Sequence, residues 1–402
     1  MVRKRKENGA GCIRQRTVMR NGKKYTWWEG QYSAGTDNGT GKLKRPTITG
    51  ATQEEVAQKL RAITASIDSG DYIEPSKMPL KKWCDIWLEE YTNDLKYMTK
   101  KTYKAQVVNH IVPMIGAVKL GELTKHTVQT FVNDLTRKKD LAPKTVKNIH
   151  GVLSAVLDTA CELDYIRSNP CNKAKLPRVP KTEVKPLTDE QISAFLKIVD
   201  MDEFYAPLFK VILFCGLREA EAIGLIWNDI NFKSGTITIR QQLQKRPKKD
   251  GGFVFDSTKN DKVRTIKPAP FVMDILNQQG IKQLETKLNA LDQWQGWKDD
   301  KERKTFVVFS NEYGLHLHPQ TVYNHFKKLA AQVGADTACV HDLRHTFATL
   351  SLQNGDDVKT VQENLGHATA AFTLDRYGHV SEKMRDDSAQ RMEKYIQDIK
   401  QA

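Results

Sequence analysis

Four separated segments in the second half of the chain carry side chains that could act together on a phosphate group. They are 215–221 (CGLREAE), the pair Thr258 and Lys259, 341–345 (HDLRH), and 365–377, which starts Leu-Gly-His and ends in Tyr377. A phosphodiester under attack gathers negative charge on its non-bridging oxygens, and a planar guanidinium group can bind these oxygens through two parallel hydrogen bonds. Arg218 and Arg344, at the centres of two segments, fit this chemistry.

His341 and Arg344 are spaced so that they can reach the same phosphate. Residues three positions apart share one face of a helix, and His345 falls on that side as well. Two histidines four positions apart could instead bind a metal ion, but the glutamate of the HExxH motif is missing and Arg344 would repel a cation. We therefore expect no metal site. His367 is expected to donate a hydrogen bond to a phosphate oxygen, with a buried core histidine as the alternative.

Arg218 follows an apolar run, 208–217, which predicts a buried element that ends in a glycine turn. Glu221, one helical turn after Arg218, could hold the guanidinium group in place. A single arginine of this kind usually forms only a surface ion pair, so a functional role depends on partners elsewhere. The histidines, the second arginine and Tyr377 are those partners, which favours one shared site.

The composition indicates a polyanionic partner. The 402-residue chain has a formal net charge of +15, and its first 50 residues carry +9 of that charge. This balance suits nucleic acid, although a ribosome-associated or membrane-surface protein would fit it equally well. No segment approaches the ~18 continuous apolar residues of a membrane span, and no apolar stretch follows the basic N-terminus as in a signal peptide. The six cysteines form no CxxC pair, which argues against a disulfide framework and a zinc ribbon.

The patterning divides the chain into three domains and a linker. They are a three-stranded β-sheet with a helix (1–70), a helical bundle (77–170), a Pro- and Lys-rich linker (171–187) and a mostly helical domain with a small β-sheet (188–402). In the first domain, Asn21-Gly22 predicts a hairpin turn, and a third strand is expected over Lys42 to Thr49. In the second, Pro113 and Gly116 are expected to end a helix.

Basic and aromatic side chains of the first two domains are candidate DNA contacts. They are Arg14, Arg16, Lys24, Trp28 and Lys42 on the sheet, and Lys101, Lys144 and Lys147 on the helical bundle. A narrow sheet can dock on DNA, and lysines between apolar helix positions can contact phosphates. The alternative for each residue is an ordinary solvated surface.

The ordered set in the last ~200 residues resembles the catalytic residues of the tyrosine site-specific recombinases, the phage integrase family. Its members here are Arg218, Lys259, His341, Arg344, His367 and Tyr377. Residues 110–116 (HIVPMIG) resemble the SAM-like core-binding domain of phage and conjugative-transposon integrases, and the basic sheet resembles their arm-binding domain. The chain is most similar to the integrases of conjugative transposons, that is, of integrative and conjugative elements.

The resemblance implies a multidomain, mainly α fold with a mixed α/β catalytic domain. It implies an enzyme that breaks and rejoins DNA at specific sites to integrate and excise a mobile element, through a 3′-phosphotyrosine bond at Tyr377. Because that bond keeps the energy of the phosphodiester, neither ATP nor a metal or other cofactor is required. The family places a general-acid lysine on a β-hairpin. Lys259 is the preferred residue here, and Lys262 is the alternative.

The resemblance also implies partners and a location. The partners are double-stranded DNA with core and arm sites, a homotetramer on synapsed DNA, an excisionase and a host DNA-bending protein. The location is the bacterial cytoplasm, in association with the nucleoid. Near the C-terminus, an apolar stripe is expected to pack either on its own domain or on a neighbouring protomer. The stripe consists of Met392, Tyr395, Ile396 and Ile399.

Three other classes of protein share part of this pattern. A type IB topoisomerase uses Arg, Lys, His and Tyr, but it has less use for a separate arm-binding sheet. A Xer-type resolvase is the nearest rival, and those enzymes are expected to resemble residues 80 onward only. A non-catalytic DNA-binding regulator would share the charge but would not require Tyr377 together with both arginines.

Overall fold

The structure is a computed structural model that describes residues 12–34, 36, 41–69, 72, 76–180, 186–258, 261–377 and 382–401. The chain forms two compact units, 1–181 and 182–402. Helices dominate, and the strands form small sheets of two or three strands. The mainly α, multidomain fold expected from the sequence is confirmed. Within the described part of the chain, every helix is too short or too polar to span a membrane.

The first unit begins with a small antiparallel sheet covered by one helix. The elements are β1 (Cys12–Arg20), β2 (Lys23–Gln31), β3 (Thr47–Gly50) and α1 (Gln53–Asp68). Asn21 and Gly22 both have positive φ, as a tight hairpin turn requires. A Cβ atom at Gly30 would lie 2.7 Å from Cγ1 of Val56, so glycine at this position of β2 lets α1 pack directly on the sheet.

The third strand is shorter than predicted. It begins at Thr47 rather than at Lys42. The carbonyl groups of Lys44 and Pro46 accept hydrogen bonds from the preceding chain, but Pro46 has no amide hydrogen with which to extend the ladder toward Lys42.

A helical bundle follows. Its helices are α2 (Leu80–Glu90), α3 (Tyr97–Gln106), α4 (Val112–Ile115), α5 (Lys125–Arg137) and α6 (Pro143–Glu162). Trp83 lies in its core, where the indole nitrogen donates a 2.9 Å hydrogen bond to the Val156 carbonyl. The sequence predicted that Pro113 would end the second helix, but the helix continues through this residue. A π-helical turn at Val107–Ile111 precedes Pro113 and accommodates its missing amide hydrogen. The helix ends at Gly116.

The segment predicted as a linker begins later than residue 171. Pro170–Lys173 forms a 3₁₀ turn, and Cys171 is buried in the core of the bundle. The side chain of Asn169 fixes this turn by accepting a 2.8 Å hydrogen bond from the Cys171 amide and donating a 3.0 Å bond to the Ser154 carbonyl. The division of the first unit into separate arm-binding and core-binding domains stays a prediction.

The second unit consists mostly of helices with two small sheets. Its helices are α7 (Asp189–Asp200), α8 (Ala206–Cys215), α9 (Glu219–Ala222), α10 (Pro270–Ala290), α11 (Asp300–Lys304), α12 (Pro319–Gln332), α13 (Val340–Gln353), α14 (Val358–Leu365), α15 (Ala370–Tyr377) and α16 (Glu382–Gln401). Its strands are β4 (Ile230–Asn231), β5 (Thr236–Ile239), β6 (Gln241–Lys245), β7 (Phe253–Ser257) and β8 (Arg264–Ile266). β4, β5 and β8 form one antiparallel sheet, and β6 pairs with β7 in a hairpin.

The apolar helix α8 is the centre of this unit. Most of its side chains are buried, and it packs against α13 and α10. It ends at Gly216, which has a φ of +63°, and a Cβ atom there would lie 2.4 Å from the ring of Phe347. Glycine therefore permits both the left-handed turn and the close approach of α13. The turn directs the next residues, which carry Arg218, toward the ends of α13 and α14.

Candidate active site

Arg218 lies at the first residue before α9, where the chain leaves the buried helix α8. Its Nη1 donates a 2.6 Å hydrogen bond to Glu221 Oε1, and its backbone amide donates a 3.0 Å bond to Oε2 of the same carboxylate. The predicted support of Arg218 by Glu221 is thus present in the structure. One carboxylate fixes both the backbone and the side chain of Arg218.

Glu221 is buried and is shared by three arginines. Arg264 donates to both of its oxygens, at 3.1 and 2.7 Å, and Arg344 Nη1 lies 3.9 Å from Oε2. Burial would raise the pKa of this carboxyl group, but the guanidinium groups of Arg264, Arg218 and Arg344 hold the pKa at about 2. Glu221 is therefore ionised, and it orders positive groups that would otherwise repel one another.

Arg344 is almost wholly buried, at 1% exposure. Its Nη1 donates a 2.7 Å hydrogen bond to the Gly216 carbonyl, and its Nη2 donates a 2.5 Å bond to the Leu365 carbonyl. Burial and the nearby Arg218 lower the pKa of Arg344 to about 9, so the group is still charged at neutral pH. Arg344 therefore joins the ends of α8 and α14 from beneath the site.

Arg264 is a site residue that sequence reasoning missed. It begins β8, and its Nε donates a 2.8 Å hydrogen bond to the Asn364 carbonyl at the end of α14. Together with its two bonds to Glu221, this contact connects β8, α9 and α14. The only signal in the sequence was an arginine five positions after Lys259, and a β-strand pattern does not show which element such a side chain will meet.

Tyr377 is buried, at 7% exposure, although its sequence neighbours Asp375 and Arg376 are polar. Its ring packs with Ala348, Leu352, Val361 and Leu365. Its hydroxyl lies 2.5 Å from Nδ1 of His345, which is itself 8% exposed. The polar residues beside Tyr377 in sequence do not indicate its burial. Tyr377 is buried because α15 packs one face against α13 and α14.

His345 and His367 flank Tyr377, whereas His341 is exposed on the first turn of α13. Burial, and then the charge of Arg344, lower the pKa of His367 to about 3, and its Nδ1 lies 3.0 Å from Thr373 Oγ1. Its ring is parallel to that of Tyr377, with the centroids 6.2 Å apart. The sequence predicted a phosphate role for His367 and His341, and the structure adds His345 as the residue that contacts Tyr377.

A cavity of about 370 Å³ opens beside these residues. It is lined by Arg218, Thr258, Lys262, Val263, Arg264, Thr265, Lys359, Gln362, Glu363, Gly366 and His367. Five of the lining side chains are basic or histidine, so the cavity suits an anion of the size of a phosphate. Lys259 lies outside the described residues, and the exposed Lys262 is on the cavity wall. Among the described residues, no cluster of His, Cys, Asp and Glu could hold a metal ion.

The candidate DNA contacts of the first unit differ in their surroundings. Arg14 and Arg16 both pair with Glu29, at 2.6 and 3.3 Å, on an exposed face of the sheet. Trp28 packs partly against the core beneath α1, which weakens its prediction as a DNA contact because that face of the sheet is covered. The remaining predicted lysines are exposed. They are Lys24, Lys42, Lys101, Lys144 and Lys147.

Two segments of the chain match known protein families. The phage integrase family matches residues 185–384, and the SAM-like N-terminal domain of phage integrases matches residues 80–136. Together these matches cover more than half of the chain. The chain belongs to the phage integrase family. It is a tyrosine recombinase, an enzyme that cuts and rejoins DNA.

Some proteins similar to this tyrosine recombinase are named Xer-type recombinases, and others are named integrases. A protein named Tyrosine recombinase XerC-like, from Caldanaerobacter subterraneus subsp. tengcongensis, is 25% identical over 92% of this chain and 96% of its own length. The ICEBs1 integrase of Bacillus subtilis (strain 168) is 23% identical over 85% of this chain and 86% of its own. The first match corrects one expectation. A match over 92% of this chain must include residues before residue 80, and this relative has a Xer-type name. The N-terminal sheet therefore does not by itself distinguish an integrase from a Xer-type resolvase.

Solved structures show the same fold. The integrase of the transposon Tn1549, in complex with a circular-intermediate DNA, superposes with a TM-score of 0.65 at 20% identity, over 78% of this chain and 99% of that one. A lambda integrase dimer bound to a COC′ core site gives a TM-score of 0.54 at 16% identity, over 95% and 98%.

Proposed function

We propose that this tyrosine recombinase integrates and excises a mobile DNA element by cutting and rejoining two specific sites, with Tyr377 as the nucleophile. The observation that carries the proposal is the convergence of Arg218, Arg344 and His367 around the buried Tyr377. These residues come from three separate elements, and the charges of Arg344 and Arg218 both act on the phenol. A purely structural ion-pair network would have no need of the tyrosine.

The arginines would bind the phosphate that is cut. Arg218, whose side chain is 20% exposed, faces the cavity and would bind a non-bridging oxygen. Arg344 lies beneath and would add positive charge without entering solvent. His341 and His367 would donate further hydrogen bonds. Because both arginines are held by contacts within the protein, the site needs little reorganisation as charge develops on the oxygens.

The chemistry would proceed by two transesterifications. Tyr377 Oη attacks phosphorus, and the 5′-oxygen of the next nucleotide leaves. Lys259 would protonate this leaving group, with Lys262 as the alternative donor. The resulting 3′-phosphotyrosine bond keeps the energy of the phosphodiester, so a 5′-hydroxyl of the partner strand can reverse the step without ATP, metal or another cofactor.

The first unit would provide most of the DNA contacts outside the active site. Residues 1–70 would bind arm sites through Arg14, Arg16, Lys24 and Lys42, and the bundle of 77–170 would bind the core site. Its contacts would be the exposed lysines Lys101, Lys144 and Lys147. Each neutralised phosphate releases counterions, so this binding should weaken steeply with salt.

Assembly would involve the C-terminal helix. Met392, Tyr395, Ile396 and Ile399 are all exposed on α16, which favours docking on a neighbouring protomer over packing on their own domain. We propose a homotetramer on synapsed DNA, assisted by an excisionase and a host DNA-bending protein. The enzyme would act in the bacterial cytoplasm, in association with the nucleoid.

Two plasmid substrates test this function. The first carries the two attachment sites, read from the junctions of the element that encodes the chain, and is supplied either with both sites on one plasmid or with one site on each of two plasmids. The second is a supercoiled plasmid without these sites. We expect recombinant junctions from separate DNA molecules with the first substrate and no relaxation of the second. Relaxation without sites would indicate a topoisomerase. Recombination only between sites on one molecule would indicate a Xer-type resolvase.

A truncated chain tests the arm-binding role. Removal of residues 1–70 should abolish arm-site binding and reduce the slope of log affinity against log salt, while core-site binding by the rest of the chain persists. Full-length protein in which only Lys101, Lys144 and Lys147 are changed to Gln is the matched control. It should lose core-site affinity instead. An unchanged arm-site affinity in the truncated chain would contradict the assignment.

A further inference from the structure

The hydroxyl of Tyr377 is hydrogen-bonded to a histidine other than the one that the sequence pattern offered. His345 Nδ1 lies 2.5 Å from Tyr377 Oη, and both side chains are buried. His341, one turn earlier on α13, is exposed, and its ring meets that of His345 edge-on with the centroids 4.6 Å apart. The phenol of Tyr377 is therefore in direct contact with an imidazole nitrogen.

In the tautomer of His345 that carries its proton on Nε2, the phenol of Tyr377 donates this hydrogen bond. Burial, followed by the neighbouring His341, lowers the pKa of His345 to about 4, so its ring is neutral at neutral pH. Burial raises the pKa of Tyr377, so the phenol keeps its proton. A neutral imidazole with an unprotonated Nδ1 accepts from a hydroxyl group, and this geometry is that of a nucleophile paired with a base.

We propose that His345, rather than His341, accepts the proton of Tyr377 during DNA cleavage. The proposal rests on the proposed function of Tyr377 as nucleophile. The bond from Oη to phosphorus forms while the bond from phosphorus to the 5′-oxygen breaks. The phenolic proton moves to His345 Nδ1, and the leaving 5′-oxygen takes a proton from the general-acid lysine. In religation the same protons return, and His345 protonates Oη as it leaves.

DNA itself would make His345 a stronger base. The protein groups that act on it are mainly cationic or neutral: His341, Arg344, Arg376, His367 and Tyr377, with Asp342 as the one acid among them. A phosphate in the cavity adds negative charge, and a nearby anion favours the protonated form of an imidazole. The base would therefore gain strength when its substrate is in place, which limits proton loss from Tyr377 in free enzyme.

Two variants of His345 test the role through readouts that a merely structural residue would not move. The assay is single-turnover formation of the covalent adduct on a core half-site whose cleaved strand diffuses away. His345→Asn keeps an acceptor near the position of Nδ1 but is not basic, and we expect it to slow the reaction by about 10²- to 10⁴-fold. His345→Ala leaves a space that added imidazole can enter. We expect the rate of adduct formation by this variant to rise with the concentration of neutral imidazole.

A change in the nucleophile provides the second readout. Difluorotyrosine at position 377 is a stronger acid than tyrosine and depends less on a base. In the His345→Asn variant, this replacement should raise the rate of adduct formation at least about tenfold more than it does in the wild-type chain. About a tenfold difference is the change expected for one pKa unit of proton transfer. In a His341→Asn control, which keeps His345, the same replacement should give no such restoration.

The outcomes separate this inference from the function on which it rests. Wild-type adduct rates in His345→Asn, or rates that neither difluorotyrosine nor imidazole raises in correctly folded variants, would overturn the role of His345. Restoration of His341→Asn instead would assign the base to His341. Folding is checked by the melting temperature and by core-site affinity. Adduct formation by Tyr377→Phe would instead remove Tyr377 as nucleophile and leave the proposed function without its central residue.

Discussion

Arg264 donates hydrogen bonds to both oxygens of Glu221, the carboxylate that also holds Arg218. Arg264 lies on a strand, 43 positions from Glu221 in sequence. Through Glu221 it helps to fix the position of Arg218, which faces the cavity. Because Arg264 also binds the Asn364 carbonyl, it fixes α9 relative to the end of α14, from which His367 follows. Arg264 is thus a positioning residue for the phosphate site.

Replacing Arg264 and Glu221 separately and together tests this relationship. We expect Arg264→Gln and Glu221→Gln each to slow adduct formation, and the double variant to be no slower than the worse single one, because both changes break one contact. Glu221→Gln should also lower the free energy of unfolding by about 3 kcal/mol or more, because it leaves buried arginines without their counter-charge.

The matched control is Arg246→Gln, which breaks the ion pair with Asp256 in the neighbouring hairpin. It should leave the rate of adduct formation close to that of the wild type. Strictly additive effects of Arg264→Gln and Glu221→Gln would contradict the proposed coupling.

Arg218 should matter for cleavage more than for binding. Its guanidinium group is held by Glu221 and borders the cavity, so its loss removes one preorganised charge. We expect Arg218→Gln to slow adduct formation by about 10²-fold or more while core-site affinity changes little. Arg240→Gln, on the loop between β5 and β6 and paired with Asp229, is the control. Near wild-type cleavage by the Arg218 variant would remove it from the site.

DNA with sulfur in place of the bridging 5′-oxygen identifies the general-acid lysine. A thiolate leaves without a proton, so this DNA does not require an acid. Lys259→Ala should therefore cleave ordinary DNA about 10²- to 10⁴-fold more slowly than the wild type and cleave the sulfur-containing DNA at nearly the wild-type rate. The same pattern in Lys262→Ala, and not in Lys259→Ala, would show that the register prediction is wrong.

The buried histidines should make folding sensitive to acid. Their pKa values fall from 6.5 to about 4 for His345 and about 3 for His367 on folding. Each therefore contributes stability that is complete above pH 6.5 and is lost as pH falls toward its folded pKa, because the unfolded chain takes up the proton first.

Replacing either histidine should reduce this sensitivity. Between pH 6 and pH 4.5, the free energy of unfolding of His345→Gln should depend less on pH than that of the wild type, by up to about 1.4 kcal/mol per pH unit. His367→Gln should behave in the same way. Glu219, whose pKa burial raises to about 7, acts in the opposite direction but is common to all three proteins. Equal slopes in denaturant titrations would contradict the burial of these rings as neutral groups.

The sequence was sufficient for the parts of the site that lie in continuous motifs. Arg218 with Glu221 could be predicted because the two residues are one helical turn apart, and the apolar run before them required a buried helix. His367 after a glycine, and Tyr377 ten residues later, belong to the ordered set that resembles the catalytic residues of the tyrosine recombinases. The hairpin at Asn21-Gly22 followed from the positive φ that these residues tolerate.

Contacts between elements could not be predicted in this way. The roles of Arg264 and His345 depend on which side chains meet when β8, α13 and α15 pack, and the residue types alone leave many pairings open. The burial of Tyr377 does not follow from its polar neighbours Asp375 and Arg376, because its apolar partners come from α13 and α14.

The most direct test of Tyr377 as the nucleophile is to map the residue that becomes joined to DNA. Wild-type protein is trapped on a labelled core half-site, digested under denaturing conditions, and the DNA-linked peptide is sequenced. We predict a phosphotyrosine at Tyr377 on the 3′ end of the cut strand, no adduct with Tyr377→Phe, and an unchanged adduct with the exposed control Tyr323→Phe. DNA joined to another residue, or to the 5′ end, would contradict the role of Tyr377 as the nucleophile that forms a 3′-phosphotyrosine bond.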